Sequence, residues 1–388
     1  MDANMTKKLI MILVTPFLAT LLIAIACAPK TPQVLTQTPA IPTPAALSTP
    51  AATPKLSPED AAWAKVIEAA KKEGKISIYS FNFTGDTGIA IFRSFEQRYG
   101  IKADIITGRG AEFLERIKTE QRLGQRVGDI FEGSVAHNTN MKLAGLLVTS
   151  LGIPVLRAKD DFLVDPLGID KEGFILNESY ITYAPYINTN LVKPGQEPKS
   201  WSEFLDPKWK GKIIANDPQI SVTWYNALVP LVNAKVLKID FIRDVGKQDL
   251  LFATGDYEVI QKLSQGQAPL SMVSPDIVAG SSAAEGAPIK AIPMSEGVSV
   301  STTALAVIKD SPHPNASKIF VNWLLSTEGQ NVFHKARATA SIRKDVPDFR
   351  HPNIRMPATT KLVVVTKEDA DESAKQFAGK FFVELWKK

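Results

Sequence analysis

Ser57-Pro58-Glu59-Asp60 opens a segment that runs through Trp63, Val66, Ile67 and Ala70 to Gly74, and Lys75-Ile76-Ser77-Ile78-Tyr79-Ser80 follows at once. The first four residues are a helix start, with a capping hydroxyl, proline at the first helical position and acids in the first turn. The apolar residues recur at helical spacing, Gly74 stops the helix, and the next six residues alternate as a strand. Residues 82–88 form a polar loop; Ile89, Phe92, Phe95 and Tyr99 mark a second helix, and 103–106 is a short strand. Thr107-Gly108-Arg109-Gly110 turns into a helix bearing Phe113, Leu114 and Ile117, and 127–131 reads as another buried strand. Strands alternating with helices predict a mostly parallel α/β sheet.

The alternation returns further on. Strands are expected at 212–215, 270–273 and 304–308, with helices at 224–232 and 318–325. Two α/β layers joined by extended crossovers would leave a cleft between them, with 181–188 as the first crossover strand. The chain has 388 residues, 45% hydrophobic and 22% charged, which suits a folded protein of two domains or one large one. Lys and Arg number 45 against 40 Asp and Glu, a net charge of +5 spread along the chain and not the dense basic stripe of a nucleic-acid binder. The single cysteine, Cys27, excludes a disulfide framework and a cysteine-based metal cluster.

Lys7 and Lys8 precede a stretch without charge from 9 to 26, broken by Thr15, Pro16 and Thr20. It closes with Ala24-Ile25-Ala26-Cys27, which resembles the bacterial lipobox, where the cysteine is lipidated and becomes the new N-terminus. Residues 1–26 are thus expected to be a lipoprotein signal peptide, and 27–56 a Thr/Pro/Ala-rich linker starting at lipidated Cys27. Residues 31–54 carry no charge, and eight prolines fall from Pro29 to Pro58. Such a segment cannot bury a core and extends as a spacer at roughly 3 Å per residue.

Motifs for chemistry are sparse. No nucleophile elbow, P-loop or zinc-protease helix occurs, and Phe113 stands where a dinucleotide fingerprint beginning at Gly108 needs its third glycine. The four histidines, His137, His313, His334 and His351, have no metal-ligand spacing and read as surface or loop residues. What recurs is a polar, small-residue loop just before a helix, whose free N–H groups and partial positive charge suit anions. Three loops qualify: 80–86 with Ser80, Asn82 and Thr84, 107–110 with Arg109, and 219–223 with Ser221 and Thr223. Plain capping is the alternative for each.

Three stretches, Ala69-Ala70-Lys71-Lys72-Glu73-Gly74-Lys75-Ile76, Ser200-Trp201-Ser202-Glu203-Phe204-Leu205-Asp206-Pro207-Lys208-Trp209 and Trp323-Leu324-Leu325-Ser326-Thr327-Glu328-Gly329-Gln330, together with Ser311-Pro312-His313-Pro314, carry a resemblance. From about residue 57 to the C-terminus the chain resembles the extracellular solute-binding proteins of ABC importers, in their ferric-iron-binding branch. The resemblance implies a two-lobed type II periplasmic-binding fold. Lobe 1 would be 57–183 with 300–355, and lobe 2 would be 184–299 with 356–388. A second crossover is expected at 296–303, and one C-terminal helix over 370–386 packing on the second lobe.

Ferric-binding members carry adjacent tyrosines where this chain reads Ser274-Pro275-Asp276, so a protein-held metal is not expected, nor a cofactor. Glu112 alone makes no ferric site. The resemblance places an anion at Ser221-Val222-Thr223, and Arg109 beside two glycines is a candidate grip for a carboxylate or phosphonate. Trp224, Tyr225 and Tyr183 are candidate pocket walls. Asp256 and Asp276 would suit a ligand amine. The expectation is an exported, lipid-anchored, monomeric substrate-binding lipoprotein that hands a small anion-bearing solute to a permease, without catalysis and without nucleic acid. A ferric-anion binder, a secreted enzyme and a sensor ectodomain on the same scaffold are the alternatives.

Overall fold

The computed structural model describes residues 57–149 and 152–387; the signal segment, Cys27 and the linker to residue 56 lie outside the described residues. Helix α1, Pro58–Glu73, starts as its sequence dictates: Ser57 Oγ accepts from the Asp60 N–H at 3.0 Å, and Gly74 at φ +70° ends it. Then come β1 (Lys75–Ser80), α2 (Gly85–Tyr99), β2 (Lys102–Thr107), α3 (Gly110–Arg122), β3 (Ile130–Ser134), α4 (Val135–Leu143) and the short β4 (Leu147–Val148). The expected strand at 127–131 is displaced: Val127 is exposed, Asp129 is turned to side-chain pairing, and the ladder begins at Ile130.

A long strand, β5 (Leu176–Asn188), leaves this region. It is followed by β6 (Ile213–Asn216), α5 (Thr223–Asn233), α6 (Ile239–Val245), β7 (Leu251–Ala253), α7 (Asp256–Ser264), β8 (Leu270–Pro275), α8 (Asp276–Ala284) and β9 (Ile289–Ala291). A second long strand, β10 (Val298–Ile308), returns to α9 (Pro314–Leu324) and α10 (Thr327–Arg337). The chain ends in β11 (Leu362–Val364), α11 (Lys367–Ala378) and α12 (Phe381–Trp386). The single terminal helix expected over 370–386 is broken in two, since Lys380 adopts the left-handed region at φ 51° after Gly379.

One mixed sheet runs β2-β1-β3-β10-β5-β8-β6-β7. Its flanks are parallel, as expected, but its centre is not: β3, β10, β5 and β8 pair antiparallel in succession. Strand β5 pairs with β10 through its first half and with β8 and β9 through its second, so it belongs to both ends of the sheet. The strands expected separately at 296–303 and 304–308 are one continuous strand.

Aromatic side chains fill the cores. Phe83, Phe92, Phe95, Phe320, Trp323 and Phe333 form one cluster, with Phe95 and Phe320 edge-to-face at 5.1 Å. Another cluster gathers Trp201, Phe204, Trp224, Tyr225 and Phe382, where Tyr225 stacks on Phe382 at 4.3 Å. Each such ring buried contributes roughly 2–3 kcal/mol. Trp386 closes this cluster, donating from Nε1 to the Ile242 carbonyl at 2.6 Å and meeting Trp224 edge-on at 5.5 Å.

Two acids, the half-buried Glu73 and the fully buried Asp129, join the sequence-distant parts. Glu73, the last residue of α1, accepts from the Asn315 and Ala316 N–H groups at the start of α9, a negative charge at a helix N-terminus. Asp129 accepts from the Ser77 N–H, the Ser311 hydroxyl and the His313 N–H, and lies 2.9 Å from His313 Nδ1. His313 is therefore mostly enclosed. His334, expected at the surface, is fully buried against Thr339 and Gln330, and burial lowers its pKa to about 3.

Gly329 shows why the Ser326-Thr327-Glu328-Gly329 turn needs a glycine. A Cβ there would lie 2.1 Å from the Trp323 carbonyl oxygen, a backbone atom that cannot move aside cheaply. Gly329→Ala is expected to cost about 2–3 kcal/mol of stability, read as a lower denaturant midpoint at unchanged slope.

Candidate functional site

The C-terminal ends of β1 and β6 lead through polar turns, and those of β3 and β8 directly, into helices, the arrangement in which open α/β sheets bind ligands. Ser80 is fully buried there. Its Oγ donates to Glu132 Oε2 at 2.5 Å and accepts from the Phe83 N–H at 2.8 Å, so the hydroxyl braces the loop and does not face a solute. Asn82 donates to Glu132 from its backbone at 2.8 Å and from Nδ2 at 2.5 Å, while its Oδ1 accepts from Arg337 Nη2 at 3.0 Å. Thr84 sits at the N-cap of α2, exposed, with no capping bond from its side chain.

Arg109 is exposed at the start of α3; its backbone N–H lies 3.5 Å from the Glu112 carboxylate and its carbonyl accepts from the Phe113 N–H at 3.1 Å. The glycine beside it serves packing. A Cβ on Gly110 would meet His137 Nδ1 at 2.4 Å, so Gly110 lets α3 approach α4 closely.

On the other side the ends of β6, α5 and α7 form one polar knot. Asp256 accepts from Asn216 Nδ2 at 2.8 Å and from Thr223 Oγ1 at 2.9 Å, and Ser221 Oγ donates to Thr223 Oγ1 at 3.2 Å. Burial pushes the Asp256 carboxyl up, opposed by the bonds from Asn216, Thr223 and Ser274. The expected anion loop therefore spends the Thr223 hydroxyl on the protein's own carboxylate. No cation pairs with Asp256 among the described residues. Trp224 is fully buried against Trp386 and is core, not pocket wall. Tyr183 lies mostly buried on β5, its phenol pKa raised to about 12 by burial first and Asp256 second.

Asp276, the first residue of α8, is also enclosed. It pairs with Arg350 at 2.9 Å, and Arg350 also binds Asp348 and Thr182. That carboxylate is neutralised from within, which removes it as a partner for a ligand amine.

Three arginines that the sequence did not single out stand together. Arg337, Arg350, Arg355 and His351 line a pocket of about 440 Å³ against Ile277 and Ser281 of α8, and no carboxylate lines it. Arg350 is balanced by its two aspartates. Arg355 reaches only the Arg350 carbonyl, at 2.9 Å, and Arg337 only Asn82; neither has a carboxylate within ion-pair distance among the described residues. Arg337 ends α10, where a basic residue is ordinary, and Arg350 and Arg355 lie in an irregular stretch without periodicity, so no sequence signal marks them. Among the described residues no group of three or more His, Cys, Asp or Glu comes together.

Removing Arg350 strands the buried Asp276, whereas removing the Asp276 charge leaves Arg350 paired with Asp348. Arg350→Met is expected to cost about 3–5 kcal/mol and Asp276→Asn clearly less, measured by equilibrium denaturation.

Comparison with known proteins places this geometry. The chain is similar to iron uptake protein A1 of Synechocystis, 24% identical over 314 residues, covering 74% of this chain and 82% of that protein. A Bordetella ferric binding protein superposes with a TM-score of 0.63 at 18% identity, over 81% of this chain and 98% of the other. The periplasmic binding protein AfuA of Actinobacillus pleuropneumoniae, with exogenous fructose-6-phosphate bound, superposes at 0.55 and 19% identity, over 80% and 98%. These likenesses are of fold, the two-lobed type II periplasmic-binding fold. No helix among the described residues is long and apolar enough to cross a membrane. Residues 90–362 match the model of the bacterial extracellular solute-binding protein family, and the chain belongs to that family.

Proposed function

We propose that the protein captures a small anion-bearing solute, of carboxylate or phosphonate type, between its lobes and delivers it unchanged to an ABC permease. The observation that carries this is the arginine pocket. Arg337 and Arg355 bring guanidinium groups that have no carboxylate within ion-pair distance among the described residues, in a space of about 440 Å³. Such a field concentrates anions, and a guanidinium fork can hold two oxygens of one group. With lobe 1 at 57–183 and 300–355 and lobe 2 at 184–299 and 356–388, Arg337 and Arg355 lie on lobe 1 and α8 on lobe 2. A solute held by both favours the closed state, which is what a permease can read.

The sugar phosphate named with the AfuA structure is itself an oxyanion, which supports the same chemistry. Iron has support from the names of relatives. The residues lend it less, because Ser274-Pro275-Asp276 offers no phenolate and Asp276 is committed to Arg350. No reacting pair of nucleophile and base is needed for capture and release, so the protein acts without catalysis.

A thermal-shift screen of small carboxylates and phosphonates on the purified protein tests the pocket. A true ligand at a hundred times its dissociation constant should add about 2.7 kcal/mol of stability. Arg337→Ala and Arg355→Ala should each lose most of that shift, and Arg109→Ala should keep it; the opposite pattern moves the site to the α3 loop.

The proposal keeps Cys27 as the lipidation site and 27–56 as the tether. Cys27→Ala is expected to leave the protein in the soluble fraction of lysed cells, where the wild type sediments with membranes.

A further inference from the structure

Glu132 on β3 and Glu178 on β5 are both fully buried. Glu132 accepts four hydrogen bonds, from the Ser80 hydroxyl, the Phe81 and Asn82 N–H groups and the Asn82 amide. Neither oxygen of Glu178 has a hydrogen-bond partner. An ionised carboxylate so placed, beside a second carboxylate, is doubly disfavoured by lost hydration and by like charge. A proton relieves both, since the carboxyl then has an O–H to give and Glu132 is there to accept it.

The groups that face Glu178 are few. Burial has the largest influence on it and pushes its carboxyl well above the usual range; Glu132 from β3 acts in the same direction, and Arg337 from α10 opposes it. His334, on the same helix, lies against the Glu178 carbonyl and is held neutral by burial. Gln330 Nε2 donates to that carbonyl at 3.0 Å. β10 contributes the uncharged Thr303, whose hydroxyl faces Glu178 and weakly opposes the rise.

Arg337 belongs to two systems at once. It lines the arginine pocket, and it reaches Glu132 through Asn82, which accepts from its guanidinium and donates to the carboxylate. We propose that Glu132 and Glu178 form a one-proton site built into the crossover strand, linked through Asn82 and Arg337 to the arginine pocket, so that an anion and a proton are taken up together. The linkage rests on the anion reading of the pocket; the proton site does not. An anion on Arg337 cancels part of the field that opposes the proton on Glu178. Reciprocity then makes the proton tighten the anion.

The sign for stability follows from the same site. An unfolded glutamate titrates at about 4.3, below the folded Glu178. The stabilisation is therefore fully present below that pH and is lost as pH rises toward the folded value.

Sulfate, which does not titrate in the neutral range, is the probe, used with the full-length protein. Calorimetry at one pH in two buffers of different ionisation enthalpy should show a fraction of a proton taken up per sulfate bound. The dissociation constant should weaken roughly fivefold as pH rises and Glu178 loses its proton. Both effects should vanish in Glu178→Gln. Without sulfate, the wild-type melting temperature should fall more steeply with rising pH than that of Glu178→Gln, and Thr303→Val should not flatten the wild-type slope. If Glu178→Gln does not fold, Glu132→Gln removes the like charge and should flatten the same slope. Parallel slopes in the wild type and the glutamine variant overturn the proton site. Sulfate binding without proton uptake overturns the linkage alone. No sulfate binding at any pH overturns the linkage together with the anion reading, and the melting profiles then decide the carboxyl pair by themselves.

Discussion

The ladder between β5 and β10 is the constraint on which everything else hangs. Its antiparallel register runs from Ser299 opposite Tyr183 to Leu305 opposite Leu176. Each strand continues past the shared ladder into a different neighbour, β8 and β9 for β5, and β3 and β4 for β10. Two parallel βα units are thereby fastened to one pair of strands. Their strand ends point their turns and helix N-termini toward a common region, and a bulge near Thr303 and Ala304 marks where the pairing changes. The polar residues grouped there come from segments far apart in sequence, held by backbone hydrogen bonds more than by one another.

Charge in this region divides into what the protein settles internally and what it leaves open. Asp276 is answered by Arg350, and Asp129 by N–H and hydroxyl donors and His313. Glu132 is held by four donors around Ser80 and Asn82. Among the described residues Arg337 and Arg355 receive no such answer from a carboxylate, and Asp256 none from a cation.

The fold was legible where local chemistry and periodicity agree. Ser57-Pro58 capped α1 as written, Gly74 ended it, and the alternation of 75–80 gave β1 within its exact limits. The Trp323-to-Gln330 block signalled the family because its residues are geometric necessities: Trp323, Leu324 and Leu325 fill a core, and Gly329 fits under a carbonyl. The site was less legible. Helix N-termini rich in Ser and Thr suggest anion loops, but Ser80 and Thr223 donate to carboxylates supplied by other strands and helices, Glu132 and Asp256, and no sequence window contains that information. Trp224 looked like a wall because it follows a polar loop; its ring turns inward on Trp386, more than a hundred residues away. Arg337, Arg350 and Arg355 gave no pattern, since their meeting is a product of tertiary structure alone.

The position of β10 along the chain also bears on biogenesis. Residues 298–308 form the centre of the sheet, yet they emerge only after most of the polypeptide has been made. Until they arrive, β3 and β5 each lack their middle neighbour, and neither half can complete its sheet. Long-range pairing of this kind slows folding. The two ends of the sheet can therefore lock together only once this late strand is available.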